Sequence, residues 1–470
     1  MKRFSKEERS WIAYDWANSA FATIMLAAIF PIFFVGMAGG AGVPCGGERA
    51  VAYGVYETAV CGECETGACG EYVFPDRARG SMWWAIGLTI TRVVVGFAAP
   101  FIGALIDYKG YKKRLFVMAL VSGVVFTAFT AMMDSWELML VAFILAHMFW
   151  SICNQIYDSF LPDVTTKDRM DNVSATGFAM GYVGGSTIPF VIGIALIMFG
   201  GNFGIDLTLA VRISVVLTAV WWIAFSVPIL KNVYHKYETE VPASGLYRQA
   251  MRDIANTAKK IGRNKGVLMF LIAYIFYIDG VGTIISIATA YGADLGLDET
   301  GMIIALFMTQ IVAFGFSLLF GKLSKVTNPM NLIVGSIIVY CVISLLGFVM
   351  GFGLEEGLFG TDTAQLMFWA LAFMVGTVQG GIQAISRSTY ARLIPPEESG
   401  EYFGFFEIFG RFASVMGPAL YAVIYAVTDR RDFGILAILG LFVIGLAVLT
   451  IGRKHIPDLT PEKAGLRDGR

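Results

Sequence analysis

The sequence predicts an all-α membrane protein: twelve transmembrane helices in two pseudo-symmetric six-helix bundles. Three observations carry this. Of 470 residues, 56% are hydrophobic and only 15% charged, whereas a soluble chain of this length wets its surface with roughly a quarter charged residues. The apolar residues fall in blocks of about 20, the length that crosses roughly 30 Å of hydrocarbon at 1.5 Å per residue. A pattern of proline and glycine also recurs at equivalent points of the two halves, the weak symmetry expected of a duplicated bundle.

The blocks cover residues 11–37, 81–106, 114–133, 136–160, 173–200, 207–230, 267–291, 300–320, 329–353, 364–391, 402–427 and 433–452. Those at 136–160 and 364–391 are expected to continue past the bilayer. The first holds Asp15 and Asn18, is too long and polar for a cleavable signal peptide, and is not followed by a small-residue cleavage site. Orientation follows from Lys and Arg. With the N-terminus inside, 27 of the 35 fall in inside segments or the span ends beside them, six in outside loops or the span ends beside them, and Arg92 and Arg411 lie well inside spans. That ratio places both termini in the cytoplasm. The chain then divides into an N-terminal bundle (1–230, with an outside loop at 38–80), a cytoplasmic linker (231–266) and a C-terminal bundle (267–470).

Cys45, Cys61, Cys64 and Cys69 all fall in the loop 38–80. Four thiols on an oxidising face favour one or two disulfides, with three connectivities open. A zinc site is the rival, because Cys61 and Cys64 have the spacing of half of one. In the linker, apolar residues at 246, 250, 251, 254, 258 and 261 have helical spacing, as in an amphipathic helix lying on the membrane surface.

The repeat is clearest after the fourth and tenth blocks. Pro162 matches Pro395 and, after a four-residue gap, Gly181 matches Gly410 and Pro189 matches Pro418. Between the second and third blocks, GALIDYKGYKKR sets Gly103, Asp107, Gly110 and the basic run Lys112, Lys113, Arg114 in the pattern G-x3-D-x2-G-x-[KR]-[KR]. Gly103 allows a neighbouring helix close approach, Gly110 permits a tight turn, and Asp107 can meet basic groups or a helix N-terminus. Such contacts would shut the inner face in one state and break in another. This loop resembles the signature of the major facilitator superfamily. The second-half counterpart, GKLSKVTN from Gly321, lacks the aspartate. Two stretches, Arg9–Phe34 and Gly380–Arg411, are similar to the vacuole-effluxer branch of that superfamily. Asp279-Gly280-Val281 and Gly177–Tyr182 add to the likeness. The resemblance implies a major facilitator fold, a central site lined by the first, fourth, seventh and tenth helices, and, from fungal members, amino-acid efflux. The cysteine-bearing insertion departs from the pattern.

Charge inside a bilayer costs on the order of 3 kcal/mol, so each such group needs a partner or a wet cavity. Arg92 and Asp279 lie near mid-depth, one in each half and of opposite sign. Glu407 and Arg411 stand four apart and can pair. Asp15 and Asn18 share a face of the first helix; Asp15 is either a partner of the helix dipole or a gating or proton-carrying carboxylate. Asn154, Gln155, Tyr157 and Asp158 end the fourth helix, where the repeat aligns Asn154 with Arg387. Gln379, Gln383 and Arg387 are spaced four apart, a polar stripe that suits a cavity or interhelical bonding. His147 is the one histidine inside a span.

These residues point to a secondary active or facilitative transporter moving a small polar solute by alternating access. An amino acid is the substrate implied by resemblance; organic anions, sugars and drugs stay open. Protons are a candidate coupling ion through Asp15, Asp279 and Glu407. A solute sensor is the alternative, disfavoured because the linker is too short for an output domain. The sequence has no HExxH, no paired histidines at helical spacing and no phosphate loop, so an enzyme is not expected. Nor is a cofactor, a metal or a nucleic-acid partner. A monomer in a prokaryotic cytoplasmic membrane is the expected form.

Overall fold

The computed structural model describes residues 4–39, 77–242, 245–428 and 430–460. Twelve helices among them are long and apolar enough to cross a membrane. They are α1 (Lys6–Ala38), α2 (Arg79–Ile106), α3 (Tyr111–Met132), α4 (Trp136–Ser159), α5 (Met170–Phe203) and α6 (Leu207–Asn232). The second six are α7 (Lys265–Thr289), α8 (Gly301–Leu323), α9 (Pro329–Glu355), α10 (Thr361–Leu393), α11 (Pro396–Thr428) and α12 (Asp432–His455). A further helix, Leu246–Arg263, joins the two sets; the face of the bundle that carries it is here the linker face. Cys45, Cys61, Cys64 and Cys69 lie outside the described residues.

Capping explains where several helices start. The first apolar block begins at residue 11, yet α1 starts at Lys6, because Ser5 and Glu8 form a reciprocal capping box. Ser135, Asp206, Asn264, Asp298 and Asn328 accept from backbone N–H groups in the first turns of α4, α6, α7, α8 and α9. α10 runs 33 residues, roughly 50 Å, well beyond the hydrocarbon thickness.

Hydropathy did not foresee two wide turns of π-helix, Ala22–Ala27 in α1 and Gly181–Thr187 in α5. Each ends within four residues of a proline. Pro31 and Pro189 cannot donate to the carbonyls of residues 27 and 185, so the ladder slips by one residue there. In α5 the Thr187 hydroxyl takes up the Tyr182 carbonyl at 2.8 Å. The widened α5 packs on α1 through glycines: a Cβ on Gly184 would lie 1.9 Å from the Trp16 ring.

Two close backbone approaches relate the halves. A Cβ on Gly103 of α2 would lie 2.4 Å from the Gly400 carbonyl oxygen of α11. A Cβ on Gly321 of α8 would lie 3.0 Å from the Ala175 side chain of α5. The α2–α11 and α5–α8 seams are thus counterparts, and α5 also packs on α10.

Candidate functional site

The bonds that cross between the halves run from mid-span to the linker face, in three layers. The outermost is the signature loop. The Asp107 carboxylate accepts the Gly400 and Glu401 backbone N–H groups at 2.7 and 2.9 Å, at the start of α11. A carboxylate there meets the free amides and positive end of the helix. Burial pushes the Asp107 carboxyl up to about 8, against the pull of Lys112 and the two amides. Gly110 takes φ 79°, where a side chain is strained, and leads directly into α3. Lys112 is fully buried and donates to Asp163 (3.0 Å), the Ser159 carbonyl and the Ser399 hydroxyl of α11. Lys113 binds the Val233 carbonyl and covers the Tyr234 ring, whereas Arg114 is exposed. The linker closes over this loop: Thr239 and the 107–109 backbone exchange hydrogen bonds at 2.9 Å, and Asp163 accepts the Lys236 N–H at 2.8 Å.

Deeper lies a cation clamp. Arg387 of α10 donates to Asp158 of α4 at 2.9 Å, to Asp15 of α1 at 3.2 Å and to the Ser174 hydroxyl of α5 at 3.0 Å. Its guanidinium also lies 4.6, 5.4 and 4.5 Å from the ring centroids of Trp11, Tyr157 and Phe178. Every one of these partners belongs to the first six helices. Beside it Arg392 pairs with Asp171 at 2.5 Å, and the Ser388 hydroxyl donates to the same carboxylate. Glu8, which also accepts the Ser5 N–H in the capping box of α1, holds Arg169. Of the two roles open for Asp15, the geometry gives it a cross-half cation rather than its own helix end.

The third layer is at mid-span. Asn18 donates to Asn154 at 2.7 Å within the first half. Gln383 donates back to the Gln379 carbonyl on its own helix. Glu407 and Arg411 pair on α11 and keep part of their side chains exposed. Arg92 donates to the Ser414 carbonyl at 3.3 Å, crossing the α2–α11 seam. Asp279 is buried with neither carboxylate oxygen in a hydrogen bond, next to Thr283 and Gly417. Arg92 and Asp279 are within electrostatic reach of each other, as are Arg92 and Arg411, but no ion pair joins Arg92 to Asp279 among the described residues. His147 is buried among the Phe21, Phe143 and Trp150 rings.

The sequence marked Asp158 in the polar end of the fourth helix but not its pairing with Arg387; Ser174 and Phe178 of the clamp, and Asp163, Asp171 and Arg392 of the seam, were not singled out. Asp163 and Asp171 were signalled only by their place in the loop that opens the repeated segment. No group of three or more potential ligands that could hold a metal occurs among the described residues.

Known proteins agree on what such a scaffold is. The sequence profile described as "Vacuole effluxer Atg22 like" matches residues 4–454. The uncharacterized MFS-type transporter YxiO of Bacillus subtilis is 36% identical over 453 residues, 96% of this chain and 95% of its own. Autophagy-related protein 22 of Cryptococcus neoformans is 27% identical over 309 residues, 62% of this chain and 51% of that protein. In fold, the chain is similar to the proton:xylose symporter XylE, with a TM-score of 0.66 at 9% identity over 97% of this chain and 96% of that one. Family and fold are those of transporters, not enzymes. A buried inter-half seam, polar groups at mid-span and this breadth of likeness make one conclusion: the chain belongs to the vacuole effluxer Atg22-like family of major facilitator superfamily transporters.

Proposed function

We propose that this transporter moves a small zwitterionic solute, an amino acid in the first instance, by alternating access, and that the structure is a state closed at the linker face. The observation that carries the substrate reading is the pair of mid-span groups with unused bonding capacity. Asp279 has two unpartnered oxygens, fit for an ammonium group. Arg92 is engaged by one backbone carbonyl, leaving donors for a carboxylate. Together they offer opposite charges to opposite ends of one small molecule. The "vacuole effluxer" description of the family supports solute export and names no substrate class.

The orientation reading rests on charge: the sequence segments that the spans leave on the linker's side hold 27 of the 35 Lys and Arg, which supports a cytoplasmic linker face. The clamp and the signature loop then lock the inner gate, and the two bundles, 1–230 and 267–470, rock about the mid-span groups. Asp15, Asp279 and Glu407 are the carboxylates available for proton coupling.

Counterflow in proteoliposomes against a panel of labelled amino acids tests this reading. Saturable exchange of at least one, abolished by Asp279→Asn or Arg92→Ala, supports it. Failure of every amino acid to exchange or bind rejects the substrate class. Flux unchanged at every pH after neutralising Asp15, Asp279 and Glu407 in turn rejects proton coupling through them.

A further inference from the structure

The linker helix presents three distinct strips. Ala250, Thr257 and Ile261 are buried against the bundle. The helix is fastened there to both halves: Tyr108 donates to Asp253 at 2.7 Å, Thr257 binds Glu401, and Lys260 pairs with Glu398. On one flank of this buried strip, Tyr247 and Met251 are 68% and 60% exposed. Tyr247 stacks on Phe101 of α2 with ring centroids 6.0 Å apart. Phe101 continues the exposed stripe of α2 formed by Ile90, Val93 and Phe97, which is a bilayer-facing surface. The exposed flank of the linker helix is therefore continuous with the lipid-facing surface.

Beyond that flank lies a strip of charge. At about 100° per residue, Arg248, Arg252, Lys259 and Arg263 fall within one narrow sector of the helix. All four are exposed, and none has an ion-pair partner among the described residues, unlike Lys260. Among the described residues no carboxylate neutralises the strip, and the aromatic flank beside it sets its height at the edge of the hydrocarbon. An aromatic-apolar flank at the acyl boundary, with a cation strip next to it, has the chemistry of a surface that binds anionic headgroups.

We propose that the linker helix docks on the anionic lipid of the leaflet at the linker face, through Arg248, Arg252, Lys259 and Arg263 with Tyr247 and Met251 as apolar anchors. Lipid then holds the element that fastens the closed seam on its inner side.

Hydrogen–deuterium exchange of the segment 246–263, in the full chain in nanodiscs, tests this. Discs are made of phosphatidylcholine alone or with phosphatidylglycerol admixed. Adding phosphatidylglycerol should slow exchange of the segment about tenfold or more, and high salt should reverse this. The R248Q/R252Q/K259Q/R263Q variant should lose that response while its spans exchange as in the wild type. The proposal is overturned by equal protection in both discs, by a variant that still responds to phosphatidylglycerol, or by protection that follows an added soluble protein rather than lipid.

Discussion

Replacing Arg387 by Met should open the linker face. Arg387 holds α10 to α1, α4 and α5 through Asp15, Asp158 and Ser174, and three aromatic rings surround it. Since all these partners lie in the other half, the change removes cross-half contacts and leaves each bundle's own packing intact. The guanidinium and the Asp15 side chain are 5% and 9% exposed, and Asp158 is 21% exposed. Removing one member of such a buried pair costs about 3–5 kcal/mol, largely because the remaining carboxylates lose their counter-charge. Partial protonation and water entry reduce this, so about 2–3 kcal/mol is expected, a shift of roughly 30- to 150-fold in the closed-to-open ratio. Spin-label distances across the α2–α11 seam at the linker face, in lipid, report that ratio. Arg387→Met should add a long-distance population. Neutralising Asp15 and Asp158 as well, each to Asn, should restore much of the short one, since no charge is then stranded. An unchanged distance distribution in Arg387→Met would refute the clamp as a lock.

Three other outcomes follow from the same geometry. Gly103→Val should drive α2 off the Gly400 carbonyl, widening the same distances and abolishing flux, while Gly36→Val, which meets nothing within 4 Å, should do neither. Gly184→Ala should lower the melting temperature by several degrees through overlap with Trp16, an overpacking cost of about 1–3 kcal/mol, and Trp16→Ala should partly rescue it. The closed state should also weaken with rising pH. Burial holds Asp107 at about 8 in the closed seam, against about 3.9 once opening wets it. Closing therefore takes up a proton: the contribution is complete below about pH 4 and is lost as pH rises through about 8. Asp107→Asn should flatten that dependence in the same distance measurement.

Much of the fold could be read from the sequence, because a bilayer imposes length and hydropathy on every span. Helix starts were less visible: Ser5 and Glu8 extend α1 by a turn that hydropathy cannot register. The π turns were invisible because their cause, a proline acting four residues upstream, leaves the apolar pattern unchanged. Gly103 and Asp107 stood out because their spacing is local and their chemistry admits few uses. Arg387 was marked by its polar stripe, but its partners Asp15, Asp158 and Ser174 are 372, 229 and 213 residues away, and a helical period says nothing about distant contacts. The opposite deep charges, Arg92 and Asp279, were equally plain in the sequence. That no ion pair joins them among the described residues is a fact of packing, and the proposed solute site rests on it.

Alternating access is tested most directly by asking whether the two mouths respond to solute in opposite directions. In sealed proteoliposomes, with native cysteines replaced, one reporter cysteine at Ser399 marks the linker-face seam. A second at Gln383 marks the mid-span site as seen from the far face. A transported solute at saturation should raise alkylation of the first and lower that of the second, one open fraction gaining what the other loses. If a solute that exchanges in counterflow leaves both rates unchanged, or moves them in the same direction, the two-mouth account is wrong.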